Sequence, residues 1–186
     1  MTENAGTLGE VKDRPKKSTL REIVESLVIA VVLALLIRAF VFQPFFIPSG
    51  SMEPTLKIQD HIIVNKFGHK FWGLKPGDIV VFRYPLDPKK DFVKRLIAMP
   101  GDKVEVRNSR VYVNGQAISE EYLPPGLRYP NFGPVVVPEN SYWMMGDNRP
   151  NSDDSRVWGP LPKENVIGKA MLVYWPLDRI RLLTGK

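Results

Sequence analysis

The chain has 186 residues, 17 prolines, no cysteine and a net charge of +6. The length suits one domain with an appendage, and the missing cysteine excludes disulfides, thiolate metal ligation and a cysteine nucleophile. With His61 and His69 as the two histidines, a multi-histidine metal centre does not fit, and no metal or other cofactor is expected. Sixteen prolines lie at or after Pro44. Proline removes a backbone donor and breaks helix interiors, so an all-helical protein does not fit, and a long helix is easiest to place within the proline-free residues 16–43. The basic side chains are scattered and no nucleic-acid signature appears, so the charge suits an anionic membrane surface better than nucleic acid.

Residues 1–17 are polar and lack periodicity, and are expected to form a disordered tail. Residues 27–37 read LVIAVVLALLI, and Ile23–Phe42 forms a largely apolar stretch interrupted by Glu25, Ser26 and Arg38. About 20 such residues span a hydrocarbon core. An aliphatic run without a polar face argues against a buried core helix. No small-x-small site follows the run, where Arg38, Phe40 and Phe42 stand, which argues against a cleaved secretory signal. Lys12, Arg14, Lys16, Lys17 and Arg21 precede the span and favour a cytoplasmic N-terminus. The expected organisation is a cytoplasmic tail over 1–21, a transmembrane anchor over 22–42 and an extracytoplasmic domain over 43–186.

After Pro44 the chain becomes short apolar runs between turn signals. Strands are expected at His61–Asn65, at Asp78–Tyr84 behind the Pro76-Gly77 turn, at Val104–Val113 with Asn108-Ser109 as a hairpin turn, at Val135–Val137 and at Ala170–Trp175. Asn114-Gly115 is a further turn signal. Lys163–Val166 resembles a helical turn, and Glu120–Pro134, with four prolines and two glycines, reads as a long loop. The predicted fold class is therefore mainly β, an antiparallel β-barrel-like catalytic domain behind one N-terminal transmembrane helix.

Neither histidine has a motif around it, so the Ser-His-Asp template finds no support. Ser and Lys can form an alternative pair. A solvated lysine, with a pKa of about 10.4, is almost wholly protonated at neutral pH, but burial makes it a usable base. Lys94 follows Phe92 and Val93 and precedes Leu96 and Ile97. Periodicity alone fits an edge-strand lysine that discourages aggregation better than a catalytic one. Ser51, in FIPSGSMEPTL, occupies a turn framed by Pro48, Gly50 and Pro54. Such a turn can aim a hydroxyl and adjacent amides at one point, but it is equally a polar turn leaving a membrane. Gly146–Arg156 reads GDNRPNSDDSR, whose spacing does not match a calcium loop and suits an internally paired, hydrogen-bonded loop.

Together these segments closely resemble type I signal peptidases, the membrane-bound leader peptidases of bacteria and related organelles. P-S-G-S-M-x-P-T-L occurs at Pro48–Leu56 and G-D-I/V-V at Gly77–Val80. A K-R segment ending in P-G-D spans Lys94–Asp102, and G-D-N-R-x-x-S-x-D-S-R is matched at Gly146–Arg156. Each motif alone is modest, but four in order behind an apolar span are specific. The resemblance implies a serine endopeptidase that removes signal peptides from exported preproteins after small residues of Ala-x-Ala type. Ser51 would be the nucleophile and Lys94 the general base. Ser49 and the Ser51 amide would form the oxyanion hole, and Ser152 would hydrogen-bond Lys94. Asp154 and Arg156 would pair, with Asp147, Asn148, Arg149, Met52 and Arg95 in support. Phe45, Ile47 and Pro48 on one side, and Asp91, Phe92 and Val93 on the other, would line the substrate groove. Expected partners are signal peptides, the lipid bilayer of a cell membrane or thylakoid, and a nearby export translocon, with no nucleic acid. The chain departs from many relatives at Ala98, where they carry glycine, and it is too short for the extra β domain or second span some of them have. A pilus or conjugation maturation peptidase of narrow specificity is the alternative within the superfamily. A catalytically inert β module that binds partners is the alternative outside it.

Overall fold

A computed structural model of the chain describes residues 19–184. The tail expected over 1–17 lies outside the described residues. The described chain falls into two units, parting between Leu36 and Ile37.

The first unit lies in helix α1, Thr19–Phe40, which takes in three residues that the sequence placed in the tail. Arg21 Nε donates to Glu25 Oε1 at 2.9 Å and the Ser26 hydroxyl donates to Glu22 O at 2.8 Å, both one helical turn apart. Leu20, Ile23, Val24, Leu27, Val28, Ile29, Val31, Val32, Leu33 and Leu35 are all at least half exposed, so its apolar side chains point outward on every face. Among the described residues no helix is long and apolar enough to cross a membrane. The side chains of residues 36–40 lie outside the described set, and the anchor expected over 22–42 runs into them.

The second unit is built from twelve strands: β1 (Phe42–Phe46), β2 (His61–Asn65), β3 (Ile79–Tyr84), β4 (Asp87–Ala98), β5 (Lys103–Arg107), β6 (Arg110–Val113), β7 (Gln116–Ala117), β8 (Phe132–Val136), β9 (Ser141–Met145), β10 (Leu161–Pro162), β11 (Val166–Trp175) and β12 (Arg181–Leu182). Two short helices, α2 (Gly68–Trp72) and α3 (Ser155–Trp158), complete it. The strands form an eight-stranded sheet in the order β1-β2-β11-β3-β4-β9-β10, with β12 beside β11, and a four-stranded sheet in the order β7-β6-β5-β8. Every pairing is antiparallel. The mainly antiparallel β class expected from the sequence is what forms. The barrel is not: β1 and β10 end the large sheet without pairing to each other. Closure would need a strand able to continue the ladder at each end. β10 is only two residues long and ends on Pro162, which has no N–H to give.

The turn chemistry explains the hairpins. Asn108 and Ser109 both take positive φ, 49° and 57°, as a two-residue β5–β6 turn requires, and Asn114-Gly115 does the same between β6 and β7. The unbroken IVVF run of β3 reflects burial on both faces. Ile79 and Val81 enter one core with Met52, Leu56 and Ile62, while Val80 and Phe82 enter another with Leu96 and Met144. A third core joins the two sheets through Trp143, Met145, Val104 and Val111. Ala98, the departure from glycine, is fully buried in this third core.

Besides the two-residue β10 and β12, two longer stretches of the large sheet have a free edge among the described residues. β1 pairs on one side only, and β4 pairs with β9 through Arg95–Ala98 but not through Asp87–Lys94. The main chain of Ile47 bonds back to Gln59 and Asp60, so by the alternation of an antiparallel ladder Phe46 directs its own N–H and C=O to the open side.

The bulge at Gly168 in β11 gives the fold a sharp test. A Cβ there would stand 2.3 Å from Asn65 O, a main-chain atom that cannot rotate away. Gly168→Ala is expected to lower stability by about 1–3 kcal/mol, seen as a fall in the chemical-denaturation midpoint. An unchanged midpoint would mean that β2 and β11 do not approach so closely.

Candidate active site

Ser51 lies in a single 3-10 turn, Gly50–Met52, that leaves β1 after an extended Ser49. Pro48 and Pro54 bracket the turn, and Met52 anchors it from within, fully buried beside Ile47 and Leu56. The Ser51 main-chain N–H belongs to the first turn of this helix, where backbone donors have no intrahelical acceptor and stay available. The Ser49 side chain makes no capping bond to the turn.

Lys94 reaches the turn from β4, near the end of that strand's free edge. Its Nζ lies 2.7 Å from Ser51 Oγ and donates to Val93 O at 3.1 Å. The residue is 3% exposed, and the Phe92 ring centroid stands 5.2 Å from Nζ. Burial disfavours the ammonium and lowers the Lys94 pKa from 10.5 to about 8, against weaker upward pulls from Asp154, Asp153 and Asp147. Two of these carboxylates are held by arginines. Asp147 is held in a bidentate pair by Arg95, Nε–Oδ1 2.9 Å and Nη2–Oδ2 2.7 Å, and both side chains are buried. Asp154 is likewise held by Arg156, Nε–Oδ1 2.8 Å and Nη2–Oδ2 2.7 Å, and accepts Gly146 N at 2.9 Å. Each nearby buried carboxylate thus has its own arginine, and among the described residues none forms an ion pair with Lys94. In the ammonium form Lys94 donates to Ser51. In the neutral form the hydroxyl can donate to the nitrogen lone pair, which is the geometry a general base needs.

The motif Gly146–Arg156 wraps around the serine turn. Asn148 N donates to Ser51 O at 3.0 Å, and its Nδ2 donates to Gly50 O at 3.1 Å. Arg149 is buried, and its Nε donates to Gly146 O at 3.0 Å. Arg156 Nη2 donates to Arg149 O at 2.7 Å. Gly146 has no room for a side chain, since a Cβ would stand 2.5 Å from Ser51 O and 2.1 Å from Ser152 Oγ.

Ser152 departs from expectation. Its hydroxyl is buried beside Gly146 but has no hydrogen-bond partner among the described residues, so the bond to Lys94 implied by the resemblance is not formed. Lys94 turns two of its bonds to Ser51 and Val93 instead. Of the residues expected to line a groove, Phe45, Phe92 and Val93 are half-buried, while Pro48 and Asp91 are exposed. Ile47 is 2% exposed and its side chain packs in the core with Met52 and Leu56. Its neighbour Phe46, 52% exposed, was not singled out in the sequence and occupies the free edge. Also missed were Glu120, Tyr122 and Tyr129, which together enclose the Arg149 guanidinium. The one sequence signal for them was an acidic and aromatic cluster in a proline-rich loop.

A serine hydroxyl against a desolvated lysine, with neighbouring carboxylates neutralised elsewhere, is a centre suited to acyl transfer. Comparison with known proteins agrees in class. The profile of the family described as "Signal peptidase, peptidase S26" matches residues 20–175. A protein of Synechocystis sp. named "Probable signal peptidase I-2" is 43% identical over 193 aligned positions, covering 99% of this chain and 87% of that protein. "Signal peptidase I P" of Bacillus subtilis subsp. natto is 40% identical over 180 positions, covering 91% of this chain and 97% of that protein. A crystal structure of a signal peptidase I from Enterococcus faecalis V583 is 34% identical, covers 52% of this chain and 95% of that one, and superposes with a TM-score of 0.46. The chain belongs to the signal peptidase family, peptidase S26.

Burial of Lys94 has a consequence for stability. Between pH 8 and 10.5 the unfolded chain holds the lysine proton more firmly than the folded one, so stability rises with pH across that window. Below it the burial penalty is present in full, roughly 3 kcal/mol. Lys94→Met is therefore expected to be more stable than the wild type at pH 6.5, with the advantage shrinking toward pH 10.5. Denaturation at both pH values checks this, and an equal difference at both would contradict a depressed lysine.

Proposed function

We propose that this chain is a membrane-anchored serine endopeptidase that removes signal peptides from exported preproteins, with Ser51 as nucleophile and Lys94 as general base. The observation that carries the reading is the 2.7 Å approach of a buried lysine with a lowered pKa to the serine hydroxyl. Family membership and the names of the relatives support the substrate class.

The end of the signal peptide lies extended between the free edges of β1 and β4 and gains main-chain hydrogen bonds as an added strand. Phe45, Pro48, Phe92 and Val93 supply apolar surface for small side chains near the cut. Neutral Lys94 takes the Ser51 proton as Oγ attacks the scissile carbonyl. The developing oxyanion accepts from the Ser51 N–H and the Ser49 hydroxyl. Lys94 then gives its proton to the leaving amine, which frees the mature protein and leaves an acyl-enzyme. Water, deprotonated by Lys94, adds to the acyl carbon and releases the signal peptide with Ser51 restored. Asn148 keeps the serine turn in register with β4, while Arg95 and Arg156 keep Asp147 and Asp154 from capturing the lysine. Residues 22–42 hold this domain at the bilayer near the export translocon, with residues 1–21 cytoplasmic and 43–186 on the far side. The aliphatic run and the outward-pointing side chains of α1 support the anchor, and the basic residues before it support the orientation.

Ser51→Ala and Lys94→Ala are each expected to lower cleavage of a model preprotein by roughly 10³-fold or more while the chain stays folded. Substantial activity in folded Lys94→Ala would contradict the assignment. Because the reactive form is the neutral amine, kcat/KM is expected to rise with pH about tenfold per unit below the Lys94 pKa and to level off above it. That pKa lies at about 8. A profile flat from pH 6 to 9 would rule out Lys94 as the base.

A further inference from the structure

Loop residues 118–123, which join the small sheet's β7 to the segment before β8, carry no motif, yet they meet both arginines that organise the active site. Arg149 Nη2 donates to Glu120 Oε1 and, at 3.3 Å, to the Tyr122 hydroxyl. The Tyr122 hydroxyl donates to the same Glu120 oxygen at 3.0 Å. The Arg95 guanidinium stacks 3.7 Å from the centre of the Tyr122 ring. One tyrosine therefore touches Arg95 through its face and Arg149 through its edge. Glu120 is the carboxylate ion-paired with Arg149, whose side chain is fully buried, and it is itself only 11% exposed.

Each arginine leads to one half of the catalytic pair. Arg95 directly follows Lys94 on β4 and fixes Asp147 by two hydrogen bonds. Arg149 fixes Gly146 O, and Asn148 between them carries the Ser51 and Gly50 carbonyls. Tyr122 also lines two pockets of about 290 and 250 Å³, one shared with Gly77, Leu96 and Ile118, the other with Thr55, Arg95 and Leu183. Its described partners are the Glu120 carboxylate, the Arg149 guanidinium and the Arg95 stack.

We propose that Glu120 and Tyr122 are positioning residues, a latch from a loop outside the motifs that sets the distance between Ser51 and Lys94 by holding Arg149 and Arg95 together. The latch touches neither reacting atom. It acts on the turn through Asn148 and on the lysine through β4, so its loss lets the two sides of the site move independently and admits water to Lys94. The groups that face Lys94 otherwise stay in place: the Ser51 hydroxyl and the carboxylates of Asp147, Asp153 and Asp154.

The proposal rests on Ser51 and Lys94 being the catalytic pair, and the test separates the two claims. Full-length wild type, Tyr122→Phe, Glu120→Gln and the exposed neighbour Glu121→Gln are assayed on a model preprotein across pH 6–10, beside Ser51→Ala and Lys94→Ala. Tyr122→Phe keeps the ring stack and removes one hydroxyl, so it remains informative should Glu120→Gln, which leaves Arg149 unpaired, fail to fold. The expected result for Tyr122→Phe is a fall in kcat of roughly 10- to 100-fold. KM should change little, and the midpoint of the rising pH limb should move up toward the solvated lysine value of about 10.4. Glu121→Gln is expected to match wild type. Wild-type kcat and pH midpoint in Tyr122→Phe, with Ser51→Ala and Lys94→Ala inactive, would overturn the latch and leave the catalytic pair intact. A loss of activity that follows only the folded fraction, with an unmoved pH midpoint, would also overturn it. Activity in Ser51→Ala or Lys94→Ala would overturn the catalytic pair itself.

Discussion

The structure depends on keeping one lysine dry and unpaired beside a serine. A buried ammonium normally recruits a carboxylate, and a lysine so paired stays protonated and useless as a base. Three aspartates lie close enough to raise the Lys94 pKa. Arg95 and Arg156 resolve the conflict by taking Asp147 and Asp154 in bidentate pairs. Guanidinium suits this task, because its planar fork matches a carboxylate and it does not lose its proton. Only Asp154 and Arg156 pair within Gly146–Arg156, while Asp147 takes Arg95 and Arg149 takes Glu120 from outside it, and desolvation outweighs the remaining pull of the carboxylates on Lys94.

The scaffold meets the matching geometric demand. Ser51 follows β1 at one end of the large sheet and Lys94 sits on β4, four positions along the strand order. Ile79, Val81, Ile47 and Met52 share one core, so the sheet must curl for the two to meet. Asn148 ties the serine turn to the segment after β9, the strand paired with β4. The turn is therefore referenced to the lysine's own neighbour and not to its own strand alone. Gly146 permits the approach, since any side chain there would collide with Ser51 O.

What could be read in the sequence follows from which interactions are local. The β2 run HIIVN, the Asn108-Ser109 and Asn114-Gly115 turns and the 3-10 turn at Lys163–Asn165 were all legible, because turn residues and short apolar runs act over a few positions. β1 was not, since FQPFF follows an apolar helix without a break in hydropathy. Nor was the length of β4, whose first half carries Pro88 and several charges because that edge has no partner. Whether the sheet closes depends on twist and on pairing between distant strands, and no local signal carries it. Ser51 and Lys94 were visible as candidates, but only the resemblance raised Lys94 above an ordinary edge lysine. The resemblance implied a bond from Ser152 to Lys94 that is not formed here and a groove role for Ile47, whose side chain packs in the core. Glu120 and Tyr122 lie 29 and 27 positions from Arg149, too far for any pattern in the chain to pair them.

The central claim is that Lys94 loses its proton near neutrality while still buried in the folded protein. Titration of the Lys94 side chain by NMR, following its Cε and Nζ shifts in the full chain with Ser51 intact, measures that directly. A midpoint at about 8 is the expected result. A midpoint near 10.5, the ordinary lysine value, would contradict it.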